Sequence, residues 1–171
     1  MSLIPETAVF QKSLAALPRT TYQPGESVLA AGSKTGLLLI LEKGAVAIVR
    51  DGIEFAKVAE PGAVFGELSA LLDQPHTADV RALEASQFHV ANAETLLVQN
   101  PVALLYVAAV LARRLDAANQ TLIELKSQIE AGKSPGVIEK TLEKMESLLG
   151  DNCANLAYAG YPYDPYAQPG H

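Results

Sequence analysis

The sequence predicts an α+β chain in which a barrel or sandwich of short strands comes first and long helices follow. Three observations carry this. Five turn signals, "QPGE", "AGSKTG", "EKGA", "RDGI" and "EPGA", fall within about forty-five residues between Tyr22 and Phe65 and split the apolar residues into strand-length runs. So many breaks at such short intervals suit an all-β barrel or sandwich rather than alternating βαβ units. From Pro101 to about Glu130 the apolar pattern becomes helical, with proline at a first helical position where its missing N–H has no partner to lose.

Taken in order, Thr7 to Leu17 suits a short helix whose apolar positions are Ala8, Val9, Leu14 and Leu17, closed by Pro18. The runs "LLLIL", "AVAIV" and "EFAKVA" have strand length, and "RDG" between the last two signals a hairpin. A short helix, Glu67 to Leu72, interrupts the β region before "ADVRALEASQFHVA" resumes it. Asn92 and Asn100 are candidate caps for helical segments. In the long helix Leu111, Leu115, Ala118, Leu122, Leu125 and Ile129 step by four and three, a heptad seam that packs either on a twin or on the protein's own β face. After "AGKSPG", Val137 to Leu149 reads as a further helix stopped by Gly150. The expected organisation is a domain over 1–130, an extra helix over 131–150 and a Tyr/Pro-rich flexible tail over 151–171.

Composition bounds the function. An apolar share of 49% in 171 residues is enough for a sizeable core. A net charge of −6 argues against phosphate-neutralising work on nucleic acid or a membrane surface. The start of the chain has no basic leader before an apolar run, and no apolar run approaches the ~18 residues of a membrane span. A soluble, cytoplasmic protein is expected, and the lone Cys153 fits a reducing compartment. No His-x-His with a nearby Glu appears, nor a nucleophile elbow, so neither a metal, another cofactor nor a catalytic residue is expected. Arg113 and Arg114 read as solvated residues beside the seam, and His89 as a satisfied or exposed strand histidine.

The stretch that carries chemistry is "VFGELSALLDQPHTADV", Val64 to Val80. A strand ends at Val64–Phe65, Gly66 lets the backbone approach closely, and the N–H groups of a new helix favour an anion. Glu67, in that first turn, is placed to accept hydrogen bonds from ligand hydroxyls. The set suits a ligand with one phosphate and one sugar hydroxyl.

The segment "FGELSALLDQPHTADVRA" resembles the phosphate-binding cassette of cyclic nucleotide-binding domains, whose pattern is Phe-Gly-Glu-Leu-(Ala/Ser)-Leu followed by Pro-Arg-(Ala/Ser/Thr)-Ala-(Thr/Ser)-Val. The spacing from Gly66 through Pro75 to Val80 matches without a gap, and the resemblance extends from about Phe10 to Ile129 through "YQPGESVLAAGSKTGLLLILEKGAVAIV" and "NPVALLYVAAVLARRLDAAN". It implies an eight-stranded antiparallel β-roll, jelly-roll-like, flanked by an N-terminal helix and C-terminal helices. It also implies ligand contacts at Gly66, Glu67, Leu68, Ser69, His76 and Thr77, with Glu67 on the ribose 2′-hydroxyl. Two positions depart from the pattern. The phosphate-pairing arginine is His76 here, and the Thr/Ser position is Asp79. Replacing a permanent two-pronged cation by a mostly neutral imidazole weakens a contact of roughly 1.5–3 kcal/mol, about tenfold to a hundredfold in affinity. Asp79 either faces the phosphate or pairs with His76 and keeps it protonated.

The resemblance therefore implies a non-enzymatic regulatory domain that binds a cyclic nucleoside monophosphate, cyclic AMP or cyclic GMP, and signals through its C-terminal helix. The alternative is a degenerate fold that serves, without ligand, as a dimerisation or protein-interaction module. The expected partners are the nucleotide, a second copy joined through Leu111, Leu115, Leu122, Leu125 and Ile129, and a further protein. No helix-turn-helix fits after Glu130, so no nucleic acid is expected.

Overall fold

The computed structural model describes residues 7–151. The chain runs α1 (Thr7–Leu14), β1 (Arg19–Tyr22), β2 (Ser27–Leu29), β3 (Leu37–Lys43), β4 (Val46–Arg50), β5 (Ile53–Val58), β6 (Val64–Phe65), α2 (Glu67–Leu72), β7 (Asp79–Ala82), β8 (Ser86–Asn92), α3 (Ala93–Gln99), α4 (Pro101–Glu130) and α5 (Pro135–Asp151). The eight strands form two four-stranded antiparallel sheets, ordered β1-β8-β3-β6 and β2-β7-β4-β5. This is the expected α+β β-roll with flanking helices. The expected tail lies outside the described residues apart from Asp151, which ends α5.

Sequence dictates which sheet is covered on both sides. In β3 four consecutive residues, Leu38 to Leu41, are fully buried, as a continuous apolar run requires. In β5 the alternation is partial, with Ala56 and Val58 buried and Lys57 exposed between them, so that edge strand turns one face to water. Phe88 meets Phe65 at 6.0 Å and Tyr22 at 5.6 Å, both edge-to-face, with Phe88 and Phe65 in the core and Tyr22 packed against it. At the "RDG" hairpin Asp51 and Gly52 both have positive φ, 53° and 80°, the conformation a two-residue turn between right-twisted strands demands.

The helical layer is fixed by caps and one aromatic pair. Asn92 and Asn100 accept the backbone N–H of Thr95 and Ala103, so each starts a helix. Phe10 of α1 stacks on Tyr106 of α4 at 3.6 Å, and the Tyr106 hydroxyl donates to the Gly62 carbonyl. The buried residues of α4 are Ala103, Tyr106, Val107, Val110, Ala117 and Thr121, and the first four join the core of the domain. That set differs from the heptad seam. Leu115, Leu122 and Ile129 are each more than 60% exposed, so the seam does not pack on the protein's own β face; only Leu111 is drawn against the core. α5 folds back onto α4 and β5, tied by Gln128 and Thr141 and by Lys144 with Glu124.

Candidate functional site

The site is built where β6 runs into α2. Gly66 has φ 90°, and a Cβ there would collide with the Leu37 carbonyl oxygen of the neighbouring strand, so only glycine lets the chain turn at this point. The turn aims α2 so that Glu67 and Ser69 are buried while Leu68, Leu71 and Leu72 face outward. Ser69 Oγ donates to the Gln74 carbonyl at 2.6 Å, which closes the cassette behind the helix.

Gly66, Glu67, Leu68, Ser69, His76 and Thr77 all line one cavity of about 210 Å³. Its remaining wall is mainly apolar, from Leu29, Ile48, Phe55 and Val80, and is completed by Arg114 of α4. Arg114 is the residue the sequence reading missed. Expected in solvent, it is 20% exposed, its Nη1 donates to Glu67 Oε1 at 2.5 Å and its Nη2 donates to the Val64 carbonyl at 3.3 Å. The signal was present: Arg114 lies one turn beyond Val110 on the buried face of α4, so an arginine there must find a carboxylate inside. Burial pushes the Glu67 carboxyl up, while Arg114 and the residue's own backbone N–H pull it back down. One donor of the helix start is thus spent on Glu67 itself.

His76 and Asp79 have structural partners, and neither arrangement considered for Asp79 is found. Asp79 accepts from the Ala31 N–H at 2.7 Å and from Arg81 at 3.2 Å, and those contacts hold its carboxyl below the usual range. It meets neither His76 nor the cavity. His76 is buried, its Nε2 lies 2.9 Å from Thr35 Oγ1, and burial holds its imidazole below the ordinary value. Around it the β2–β3 loop is pinned to the cassette: Gly32 N–H donates to the His76 carbonyl, His76 N–H to the Ser33 carbonyl, and Lys34 pairs with Asp73. The position that holds a cation in the cassette pattern therefore carries a neutral ring that braces a loop. Among the described residues no cluster of metal-ligating side chains is found.

Residues 19–98 match the family of the cyclic nucleotide-binding domain. The match takes in all eight strands and α2, a little under half of the chain. The chain shares its fold with the catabolite activator protein of Thermus thermophilus, with a TM-score of 0.59 at 21% identity over 86% of this chain and 81% of that one. It is also similar to the N-terminal domain of a transcriptional regulator from Streptomyces coelicolor A3(2), with a TM-score of 0.50 at 27% identity over 68% and 85%. A curated relative, Glutaminase 2 of Bradyrhizobium diazoefficiens, is 36% identical over 106 residues, but the chain spans only 17% of its length. No single helix among the described residues is long and apolar enough to cross a membrane.

Proposed function

We propose that the chain is a cytoplasmic, non-enzymatic sensing domain. It binds a cyclic nucleoside monophosphate weakly in the Gly66–Thr77 cavity and reports occupancy through α4. The observation that carries this is the Glu67–Arg114 pair, because it joins the cassette's carboxylate to the helix that leaves the domain. A ribose hydroxyl that donates to Glu67 competes with Arg114 for the same oxygens. Ligand therefore favours one position of α4 over another, a population shift driven by differential contacts. Weak binding follows from His76, since the phosphate meets backbone N–H groups and a neutral ring instead of a guanidinium. A double-mutant cycle tests the coupling: Glu67→Gln, Arg114→Met and the combination are titrated with cyclic AMP and cyclic GMP by calorimetry. The reading expects non-additive losses, and strictly additive effects would count against it.

A second reading has its own observation. Leu115, Leu122 and Ile129 lie seven residues apart and exposed along α4, the pattern of a self-associating seam, so the domain serves in assembly whether or not ligand binds. Analytical ultracentrifugation with and without nucleotide separates the two readings.

A further inference from the structure

Two buried side-chain atoms among the described residues, Glu42 Oε2 and His89 Nδ1, have no hydrogen-bond partner. They belong to one cluster. His89 Nε2 lies 3.8 Å from Glu42 Oε2, and Arg19 Nε lies 2.9 Å from the same oxygen, an ion pair whose geometry leaves that oxygen without a hydrogen bond. The strands impose this meeting, because Arg19 and His89 are register partners across β1 and β8, and β3 carries Glu42 on the other side of β8. His89 is 7% exposed, so the sequence expectation of a satisfied or solvent-facing histidine is corrected on both counts.

All three residues line a cavity of about 300 Å³ between the end of α1 and the sheet, together with Leu14, Leu41 and Pro61. It shares no residue with the cassette cavity. Glu42 Oε2 can only accept, and His89 Nδ1 accepts when the ring proton sits on Nε2, the nitrogen that faces Glu42 at 3.8 Å, too far for a hydrogen bond. Both unpartnered atoms therefore call for a donor. Arg19 offers the opposite: its terminal nitrogens engage no acceptor among the described residues, and its side chain is half exposed. One fixed positive and one fixed negative charge sum to zero, so a simple anion meets Glu42 unfavourably and a simple cation meets Arg19 unfavourably.

We propose that this cavity is a second ligand site and that it takes a small zwitterion of the α-amino-acid type. The ammonium donates to Glu42 and His89, the carboxylate accepts from the terminal nitrogens of Arg19, and an apolar side chain lies on Leu14, Leu41 and Pro61. A volume of about 300 Å³, at the low end of ligand pockets, limits the occupant to a small molecule. The site is placed to be read by the helices: Leu14 belongs to α1, and the wall residue Gly62 accepts the Tyr106 hydroxyl of α4.

The test is an NMR titration of the full chain, labelled at histidine, with His89→Gln used to assign the ring signals. L-leucine is the probe, 4-methylpentanoate is the same skeleton without the ammonium, and 3-methylbutan-1-amine is the skeleton without the carboxylate. The expected result is a saturable shift of the His89 ring with L-leucine below ~10 mM, at least tenfold weaker with either analogue. Glu42→Gln and Arg19→Met, with the rest of the spectrum unchanged, are expected to lose the response. No saturable shift at His89, equal responses to an analogue, or an unchanged response in both variants overturns the proposal. None of these readouts depends on the cassette's ligand.

Discussion

His76 and Asp79 hold opposite ends of the same loop, and their chemistry separates two effects that a cassette arginine and threonine would merge. Asp79→Thr loses the contacts to Ala31 and Arg81, so it is expected to lower the melting temperature while leaving nucleotide affinity unchanged, which parallel thermal scans and calorimetry check. His76 adds a pH dependence. Its folded-state imidazole lies below the ordinary value of 6.5, so folding favours the neutral ring; that contribution is fully present above 6.5 and declines as the pH falls toward the lowered value. His76→Gln is expected to flatten the stability profile below about pH 6.5, as followed by denaturant unfolding at each pH. At Gly66, alanine meets both a left-handed φ and the Leu37 carbonyl, and the expected cost is on the order of 1–3 kcal/mol or more.

Helix and strand boundaries show where local chemistry was enough and where it was not. The extents of α2 and α4 were legible from the sequence because a glycine turn starts one and Asn100 with Pro101 starts the other. The stretch "ADVRALEASQFHVA" read as continuous β, but Leu83–Ala85 turns the chain so that β7 and β8 enter different sheets, a partition only tertiary pairing decides. Six positions that line the cavity were legible through the cassette resemblance, whereas Arg114 is forty-seven residues from Glu67 and needed the docking of α4 to become a neighbour. That docking depends on α1. Phe10→Ala removes the ring stacked on Tyr106 and is expected to destabilise by about 3–5 kcal/mol, against about 0.5–1.5 kcal/mol for Tyr106→Phe, which keeps the stacked ring and loses the hydroxyl bonded to Gly62. Chemical denaturation of both variants compares the two.

At the scale of the molecule, α4 has three separate faces: one buried on the domain, one engaged by α5 through Gln128, and one exposed at Leu115, Leu122 and Ile129. Because α5 leaves the exposed face uncovered, self-association requires no helix to move away. Leu122→Glu places a charge in that seam and is expected to shift the chain to monomer in ultracentrifugation without changing its melting temperature much. The central claim is that the cassette binds cyclic nucleotide and that His76 limits the affinity. Calorimetric titration of cyclic AMP and cyclic GMP into the natural chain and into His76→Arg tests it directly. The account predicts weak binding by the natural chain, with a Kd of about 1 mM, and a gain of about tenfold to a hundredfold in the variant. Absence of binding by both proteins, or equal affinity in the two, would contradict it.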